Sequence, residues 1–498
     1  MASDSSFVAF ATAFLLRDSA GIADDYETFE RDFRQVLSWP PDRVTDAPLF
    51  LSCLRRGFGY FTGTWDRRGF ALREACSRAL ANHCAQPDAS LETLCLLFDL
   101  SYFLIWCFND SNDDQCRQIL PDMRNLAQRT GRTCPGRLER GDGRLTVVYL
   151  TRFADPKSAV SACMKYVLEA LATCPDRYRP LVYVLDHMDP DCPAWLAHVG
   201  AKFVVLKGAT AQETIENVMA RARADDVDVM LAANNTAVPT VLFSRRCAPV
   251  QGLVQVGLPA WGTLNLDLVY NGFGFDPAKA GWGDAAVYDF LPPWDVDDLK
   301  GAPSANEIAA EQAKLPPGAR AIGCYARLIK VSSDYLAAAE RILLANPDVV
   351  LLIGGSGDPS AIQRLIAASP ARERIVLRPG FVPGRAWARI LHLFLDTWPF
   401  PGGGSVREVT VHGVPVVSVH CPQIPTLELE KDSELIAADW DGFVELANRL
   451  LSDDEAYARA RARALDMTRR MADPGRFQRQ FLADLERSVE QANQPATS

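Results

Sequence analysis

The chain has 498 residues, which is enough for about two to four domains. Its 48% hydrophobic and 23% charged residues are typical of a globular protein with a large core. The net charge of −10 argues against a nucleic-acid partner, which favours a basic surface. The 13 cysteines form no C-x-x-C pair, so we expect reduced thiols in a cytoplasm and neither a zinc site nor a disulfide framework.

Residues 1–142 predict an all-α domain, because apolar residues recur every three or four positions, as in YETFERDFRQVLSW at 26–39. The apolar stretch 7–16 lacks a basic flank, so we expect no secretory signal. The apolar stretch 91–108 contains Glu92 and Asp99, so it is predicted to be a buried helix and not a bilayer span. The pattern leaves open whether this domain caps the protein or grips a partner.

Residues 143–290 show a different pattern. Short β-branched runs at 145–150, 181–186, 202–207 and 227–232 alternate with helical stretches such as KSAVSACMKYVLEALATC. Strands that alternate with helices form parallel sheets covered on both faces. These residues therefore predict a Rossmann-like domain.

A second alternation follows residues 291–320, whose two Pro-Pro pairs predict a linker with a short helix. Apolar runs recur within 321–475 at 321–326, 348–355, 374–382, 391–397 and 414–420, and a last helix is predicted within 476–498. The fold class is therefore α/β, with two Rossmann-like domains after an all-α domain. We expect the two sheets to face a cleft, because ligands of open α/β sheets bind at the carboxyl ends of the strands.

The stretch DTWPFPGGGSVREVTVHGVPVVS at 396–418 predicts a strand end, a glycine-rich turn, a helix and a further strand. A glycine run before a helix exposes backbone N–H groups at the positive end of the helix dipole, which suits a phosphate. Ser405 could cap the helix or donate to an oxygen, and Glu408 lies three residues on, as in a capping box. Gly413 is expected to end the helix. The same pattern also fits a plain glycine-rich turn.

Three motifs occur in one order along residues 145–475. They are R-x-APVQ…G-x-P…GT from Arg246 onward, the L-x-K turn that ends at Lys330, and DT-x-P…GG-x-S…E…G-x-PVV from Asp396 onward. Together they resemble the family of O-GlcNAc transferase and the soluble bacterial protein N-glucosyltransferases, which are inverting enzymes of GT-B architecture. The resemblance does not extend to the N-terminal helices.

The resemblance implies a donor-phosphate site in the second Rossmann-like domain. Lys330, with Arg327 in the same turn, would hold the diphosphate of a UDP-sugar. Gly403, Gly404 and Ser405 would donate to the same phosphates. A fixed cation can stabilise the charge that develops on a leaving UDP without a metal, so no metal cofactor is expected.

The resemblance also implies a nucleoside site. Glu408 would accept from the ribose hydroxyls, although the family usually has aspartate there. The backbone of Phe381 and Val382 would pair with the uracil edge. Trp387 would be either a stacking face for the base or a core residue.

The resemblance implies that Asp155 and Asp228 stand here where the family has histidines near the transfer site. Proton removal from the acceptor needs a general base, and a carboxylate can serve. Asp155 follows the first strand of its sheet, Asp228 lies near the start of a strand, and either could instead be structural. His187 is another candidate, again with a structural role as the alternative.

The resemblance thus implies a metal-independent inverting glycosyltransferase that moves a hexose or N-acetylhexosamine from a UDP-sugar to an Asn or Ser/Thr side chain of a protein. Two alternatives remain open at this point. The acceptor could be a glycan, a lipid or a small molecule, or the chain could be a degenerate nucleotide-sugar-binding subunit.

Overall fold

We analysed a computed structural model of the chain. It describes residues 4–17, 21–22, 25–41, 44, 46–64, 67–108, 112–130, 143–155, 158–233, 236–255, 265–272, 282–290, 292–293, 302–380, 382–398, 401–420, 433–471 and 473–493. The chain forms two compact units, one of Met1–Phe290 with Gln478–Ser498 and one of Leu291–Phe477.

The first unit begins with helices, as the apolar spacing predicts. Helices α1 to α6 are Asp4–Leu15, Tyr26–Ser38, Ala47–Thr64, Arg73–Cys84, Leu91–Phe108 and Asn112–Thr130. The ring of Phe14 stacks on Phe29 and Phe33 at centroid distances of 5.5 and 5.7 Å, so aromatic side chains join α1 to α2. Within the described residues, no helix combines the length and the apolar character that a membrane crossing needs.

Helix α5 carries two carboxylates on an otherwise apolar sequence, and both bind helix N-termini of the adjoining sheet layer. Glu92 Oε2 accepts from the Ala211 N–H at 2.6 Å, and Asp99 Oδ1 accepts from the Ala237 N–H at 2.7 Å. A carboxylate at a helix N-terminus satisfies a free N–H and interacts favourably with the dipole. The charges that exclude a bilayer span therefore attach the helical region to the first sheet.

The first sheet has seven parallel strands in the order β3-β2-β1-β4-β5-β6-β7. Strands β1 to β7 are Leu145–Ala154, Tyr178–Met188, Lys202–Val205, Val229–Ala232, Val250–Gln255, Leu268–Asn271 and Ala286–Asp289. Helices α7 to α10 are Ala159–Ala172, Cys192–His198, Ala211–Ala224 and Ala237–Ser244. The Rossmann-like prediction is confirmed, and β5 to β7 extend the sheet beyond the four predicted strands.

The second sheet has six parallel strands in the order β10-β9-β8-β11-β12-β13. Strands β8 to β13 are Arg320–Tyr325, Val349–Gly355, Ile375–Pro379, Leu391–Leu395, Val416–Val419 and Ile436–Ala437. Helices α11 to α17 are Ala305–Gln312, Ser333–Ala345, Ser360–Ala368, Gly384–Ile390, Gly403–Thr410, Trp440–Ser452 and Asp454–Met471. Helix α11 is the short helix predicted within 291–320.

The last helix, α18, is Pro474–Asn493, and most of it belongs to the first unit. The Tyr270 hydroxyl donates to the Phe481 carbonyl at 3.0 Å, and the two rings stack at 4.7 Å. The hydroxyls of Tyr288 and Ser488 lie 3.0 Å apart. The C-terminal helix therefore completes the core beside β6 and β7.

Candidate active site

In the second sheet, the order in which the chain adds strands reverses between the neighbouring strands β8 and β11. From β8 the chain moves outward through β9 and β10, and from β11 it moves the other way through β12 and β13. Loops that leave the carboxyl ends of such a strand pair diverge and leave a crevice, which is where open α/β sheets bind ligands. Lys330 follows β8 and the glycine turn follows β11, so both predicted phosphate-binding elements lie at this point.

The glycine turn is held by a buried carboxylate that the sequence reasoning did not single out. Asp396 follows β11 and is 2% exposed. Its Oδ1 accepts from the Thr397 N–H at 2.8 Å and the Gly402 N–H at 2.6 Å, and its Oδ2 accepts from the Ser418 hydroxyl at 2.7 Å. Its place in the DT-x-P motif is the one signal that could have found it.

Helix α15 begins earlier than the sequence predicts. Its first residue is Gly403, its N-cap is Gly402, and Ser405 is the third helical residue. The predicted cap by Ser405 and its capping box with Glu408 are therefore wrong. The cause is Asp396, which accepts the Gly402 N–H and so fixes the helix start two residues upstream of Ser405.

The start of α15 offers free donors. The first N–H groups of a helix have no acceptor within it, and no partner is found among the described residues for the N–H groups of Gly403, Gly404 and Ser405. These three residues are partly exposed. A Cβ at Gly402 would lie 2.5 Å from the Ser405 Oγ and 3.1 Å from Asp396 Oδ1, so a larger residue there would displace the Ser405 side chain.

Lys330 closes a short 3-10 turn, Leu328–Lys330, after β8. Its Nζ donates to the Pro401 carbonyl in the glycine turn at 3.0 Å, so the cation and the start of α15 belong to one site. Burial lowers the pKa of Lys330 to about 8, with Asp396 opposing and Arg327 reinforcing the change. Arg327 itself is exposed at the start of the turn.

Glu408 lies on α15 beside Tyr325 and Gly384. A Cβ at Gly384 would stand 3.2 Å from Glu408 Oε2 and 2.7 Å from the Tyr325 ring, so these three residues are in close contact. Burial raises the pKa of the Tyr325 hydroxyl, and the Glu408 carboxylate raises it further. Glu408 is partly exposed at the same strand edge as Lys330.

Trp387 is not a stacking face, because it is fully buried. Its Nε1 donates to Glu311 Oε2 at 3.0 Å, and Arg378 Nη1 donates to the same oxygen at 2.9 Å. The core reading of Trp387 is therefore correct. Val382 is partly buried against this core, and Phe381 lies outside the described residues.

The two candidate bases, Asp155 and Asp228, lie at opposite ends of the strands of the first sheet. Asp155 follows the carboxyl end of β1, and its N–H donates to the Ser161 hydroxyl oxygen at 2.9 Å. Asp228 precedes β4, and its Oδ2 accepts from the Thr146 N–H at the amino end of β1 at 2.7 Å. His187 is exposed and pairs in register with Phe153 near the carboxyl end of β1. The structure thus groups His187 with Asp155 and separates Asp228 from both.

The R-x-APVQ motif forms a structural network. Arg246 Nη2 lies 2.9 Å from both carboxylate oxygens of Asp267, and Asp267 Oδ2 accepts from the Gln251 N–H at 2.7 Å. The buried Gln251 side chain accepts from the Cys247 N–H at 2.7 Å and donates to the Asn265 carbonyl at 2.8 Å. These contacts fix the entry to β5.

No cluster of three or more potential metal ligands is found among the described residues. The D-V-D run at 226–228 includes Asp228, whose carboxylate binds the Thr146 N–H. The free donors and the lysine at the β8–β11 switch point suit an anion such as a diphosphate.

Two parallel α/β sheets, each with a switch point, are the sheets found in the GT-B fold. No protein-family model matches the chain, and no curated protein matches it in sequence. The chain is similar in structure to a lysine-to-methionine mutant of the Thermobaculum terrenum O-GlcNAc transferase. The match covers 98% of each chain, with 19% sequence identity and a TM-score of 0.64.

Two further solved structures share the fold. Anabaena HepE in complex with UDP and glucose matches 69% of this chain and 100% of its own, at 14% identity and a TM-score of 0.55. A glycosyltransferase from Rickettsia africae matches 70% of this chain and 98% of its own, at 10% identity and a TM-score of 0.54. The GT-B architecture predicted from the motifs is therefore confirmed.

Proposed function

We propose that this chain is an inverting, metal-independent glycosyltransferase that moves a hexose or N-acetylhexosamine from a UDP-sugar to an Asn or Ser/Thr side chain of a protein. The observation that carries the proposal is the site at the β8–β11 switch point. There Lys330 is hydrogen-bonded to the turn that precedes the free N–H groups of Gly403, Gly404 and Ser405.

The chemistry of transfer fits this site. A UDP leaving group gains negative charge as its bond to the sugar breaks, and donors already fixed around the phosphates stabilise that charge. Lys330 supplies a cation and the start of α15 supplies N–H groups at the positive end of its dipole. Glu408 would accept from the ribose hydroxyls, and the backbone at Phe381 and Val382 would meet the uracil edge.

Asp155 is the proposed general base. Inversion requires the acceptor nucleophile to lose a proton, and Asp155 lies at the carboxyl edge of the first sheet, where α/β proteins place reacting groups. Asp228 is at the other edge, bound to a backbone N–H, so it is the less suitable of the two. His187 is the next candidate at the Asp155 edge.

The choice of a UDP-sugar and of a protein acceptor draws support from the structural neighbours. One of them is an O-GlcNAc transferase, matched over 98% of both chains including the helical region, and another has UDP and glucose bound. A protein acceptor is favoured because the O-GlcNAc transferase matches 98% of this chain, whereas the other two structures match 69% and 70% of it.

The test is mass spectrometry after incubation of the full chain with UDP-sugars and candidate protein, glycan, lipid or small-molecule acceptors, with and without EDTA. We expect a hexose or N-acetylhexosamine mass to be added to an acceptor, with EDTA having no effect. Transfer only to glycans, lipids or small molecules would reject the protein acceptor. Loss of transfer with EDTA and its return with manganese would reject the metal-independent mechanism.

A further inference from the structure

We propose that Asp396 is a positioning residue for the donor phosphates: its negative charge keeps Lys330 cationic while its Oδ1 holds the glycine turn in the binding conformation. This inference rests on the proposed function, because it assigns Lys330 and the start of α15 to a diphosphate. Asp396 is buried and does not itself offer a contact to a ligand.

The geometry of the turn carries the first half of the proposal. One oxygen of Asp396 accepts from both ends of the turn, the Thr397 and Gly402 N–H groups. The Gly402 N–H is thereby occupied, and the next three N–H groups along the chain remain for a ligand. The Ser418 hydroxyl holds the other oxygen from β12, so the carboxylate orientation is fixed by two strands.

The charges around Lys330 carry the second half. Among the described residues, the ionisable groups that face it are Asp396, Arg327 and Cys324, besides the Pro401 carbonyl that its Nζ contacts. Burial and Arg327 both disfavour the ammonium form, and Asp396 is the strongest group that favours it. The buried Cys324 thiol also responds to both the Asp396 and Lys330 charges, which places the three groups in one electrostatic cluster.

Asparagine at position 396 separates the charge from the hydrogen bonds. Its amide oxygen can accept from Thr397 and Gly402 as Oδ1 does now, and its NH₂ group can donate to the Ser418 oxygen. Asp396→Asn therefore removes the charge and retains the turn. Ser418→Ala is the matched control, because it removes a hydrogen bond from the same carboxylate and retains the charge.

The experiment is calorimetric titration of UDP into the full chain between pH 6 and 9, for the wild type and both variants. A phosphate-binding lysine acts when protonated, so wild-type affinity should fall as pH rises through a midpoint of about 8. An opposite charge nearby typically raises a lysine pKa by about one unit or more. Asp396→Asn should therefore bind UDP almost as well as wild type at pH 6 and about fivefold more weakly at pH 8.

The ratio of variant to wild-type affinity is the deciding quantity, because the titration of UDP itself cancels in it. A ratio for Asp396→Asn that does not change with pH would overturn the inference, as would the same pH-dependent loss in Ser418→Ala. If Asp396→Asn does not fold, Asp396→Glu replaces it; a retained charge predicts a wild-type midpoint, and a shifted midpoint overturns the inference. A wild type that binds no UDP would reject the proposed function as well.

Discussion

Replacing Lys330 with methionine should make the protein more stable and less able to bind UDP. Methionine is close to lysine in shape and carries no charge. Burial lowers the pKa of Lys330 from the ordinary 10.5 to about 8, so the folded protein disfavours the ammonium form. A buried cation that lowers stability is expected at a binding site, because a residue with only a structural role would not need the charge.

The size of the effect follows from that pKa. A fall from 10.5 to about 8 corresponds to about 3 kcal/mol against the charged form. The side chain is only partly buried, and its hydrogen bond to the Pro401 carbonyl is worth about 1 kcal/mol. We therefore expect Lys330→Met to raise the free energy of unfolding by about 1–2 kcal/mol at pH 7.

The pH dependence has a defined sign. Because the pKa of Lys330 is lower in the folded protein, the unfolded chain binds more protons between about pH 8 and 10.5, and wild-type stability rises over that range. The advantage of Lys330→Met should therefore be full at pH 7 and shrink above pH 8. Urea unfolding at pH 7 and pH 9.5 measures it, with Lys202→Met, an exposed lysine, as the control. A Lys330→Met protein less stable than wild type at pH 7, or a gain independent of pH, would refute the reasoning.

Three further predictions concern other residues. Asp155→Asn should lower turnover by about 10²–10⁴-fold and leave UDP affinity unchanged. Asp228→Asn should lower stability and keep turnover within about threefold of the wild type. Equal losses of turnover in the two variants would rule out Asp155 as the base. Asp122 is buried and accepts from the hydroxyls of two serines, and burial raises its pKa to about 6. The wild-type protein therefore loses stability as pH rises through 6 and Asp122 becomes charged. Asp122→Asn should raise the free energy of unfolding by about 1–3 kcal/mol at pH 7.5 and not at pH 4. A lower free energy of unfolding for Asp122→Asn at pH 7.5 would contradict this. Trp387→Phe removes one of the donors to Glu311 and should lower the free energy of unfolding by about 1–3 kcal/mol, measured by thermal unfolding. An unchanged melting temperature would mean that this contact contributes nothing.

The sheets could be predicted from the sequence because they depend on local pattern. The apolar runs within β1, β2, β8 and β9 are mostly buried, so each forms a short continuous apolar segment in the sequence. Strand β5, VQGLVQ, was not predicted from the sequence, because Gly252 and two glutamines interrupt its apolar pattern. Gly252 is needed there, since a Cβ would lie 2.7 Å from side-chain atoms of Leu231 and Leu268 on the neighbouring strands.

The site was predicted in part for the same reason. Lys330 and the glycine turn stand at strand ends, and strand order then brings them together at the switch point. The start of α15 was misplaced because Asp396, six residues from Gly402, competes for its N–H, and no local capping rule includes that contact. The sequence did not decide the role of Trp387, because a tryptophan after a loop has the same local pattern whether it stacks on a base or packs in the core. Here its indole donates to Glu311, which is 76 residues away in the chain.

The central claim is that the β8–β11 switch point binds the diphosphate of a UDP-sugar. The most direct test is a crystal structure of the full chain with UDP. We predict phosphate oxygens at hydrogen-bond distance, about 2.7–3.2 Å, from the N–H groups of Gly403, Gly404 or Ser405 and from Lys330 Nζ. UDP bound with its phosphates away from both Lys330 and the start of α15 would contradict the account.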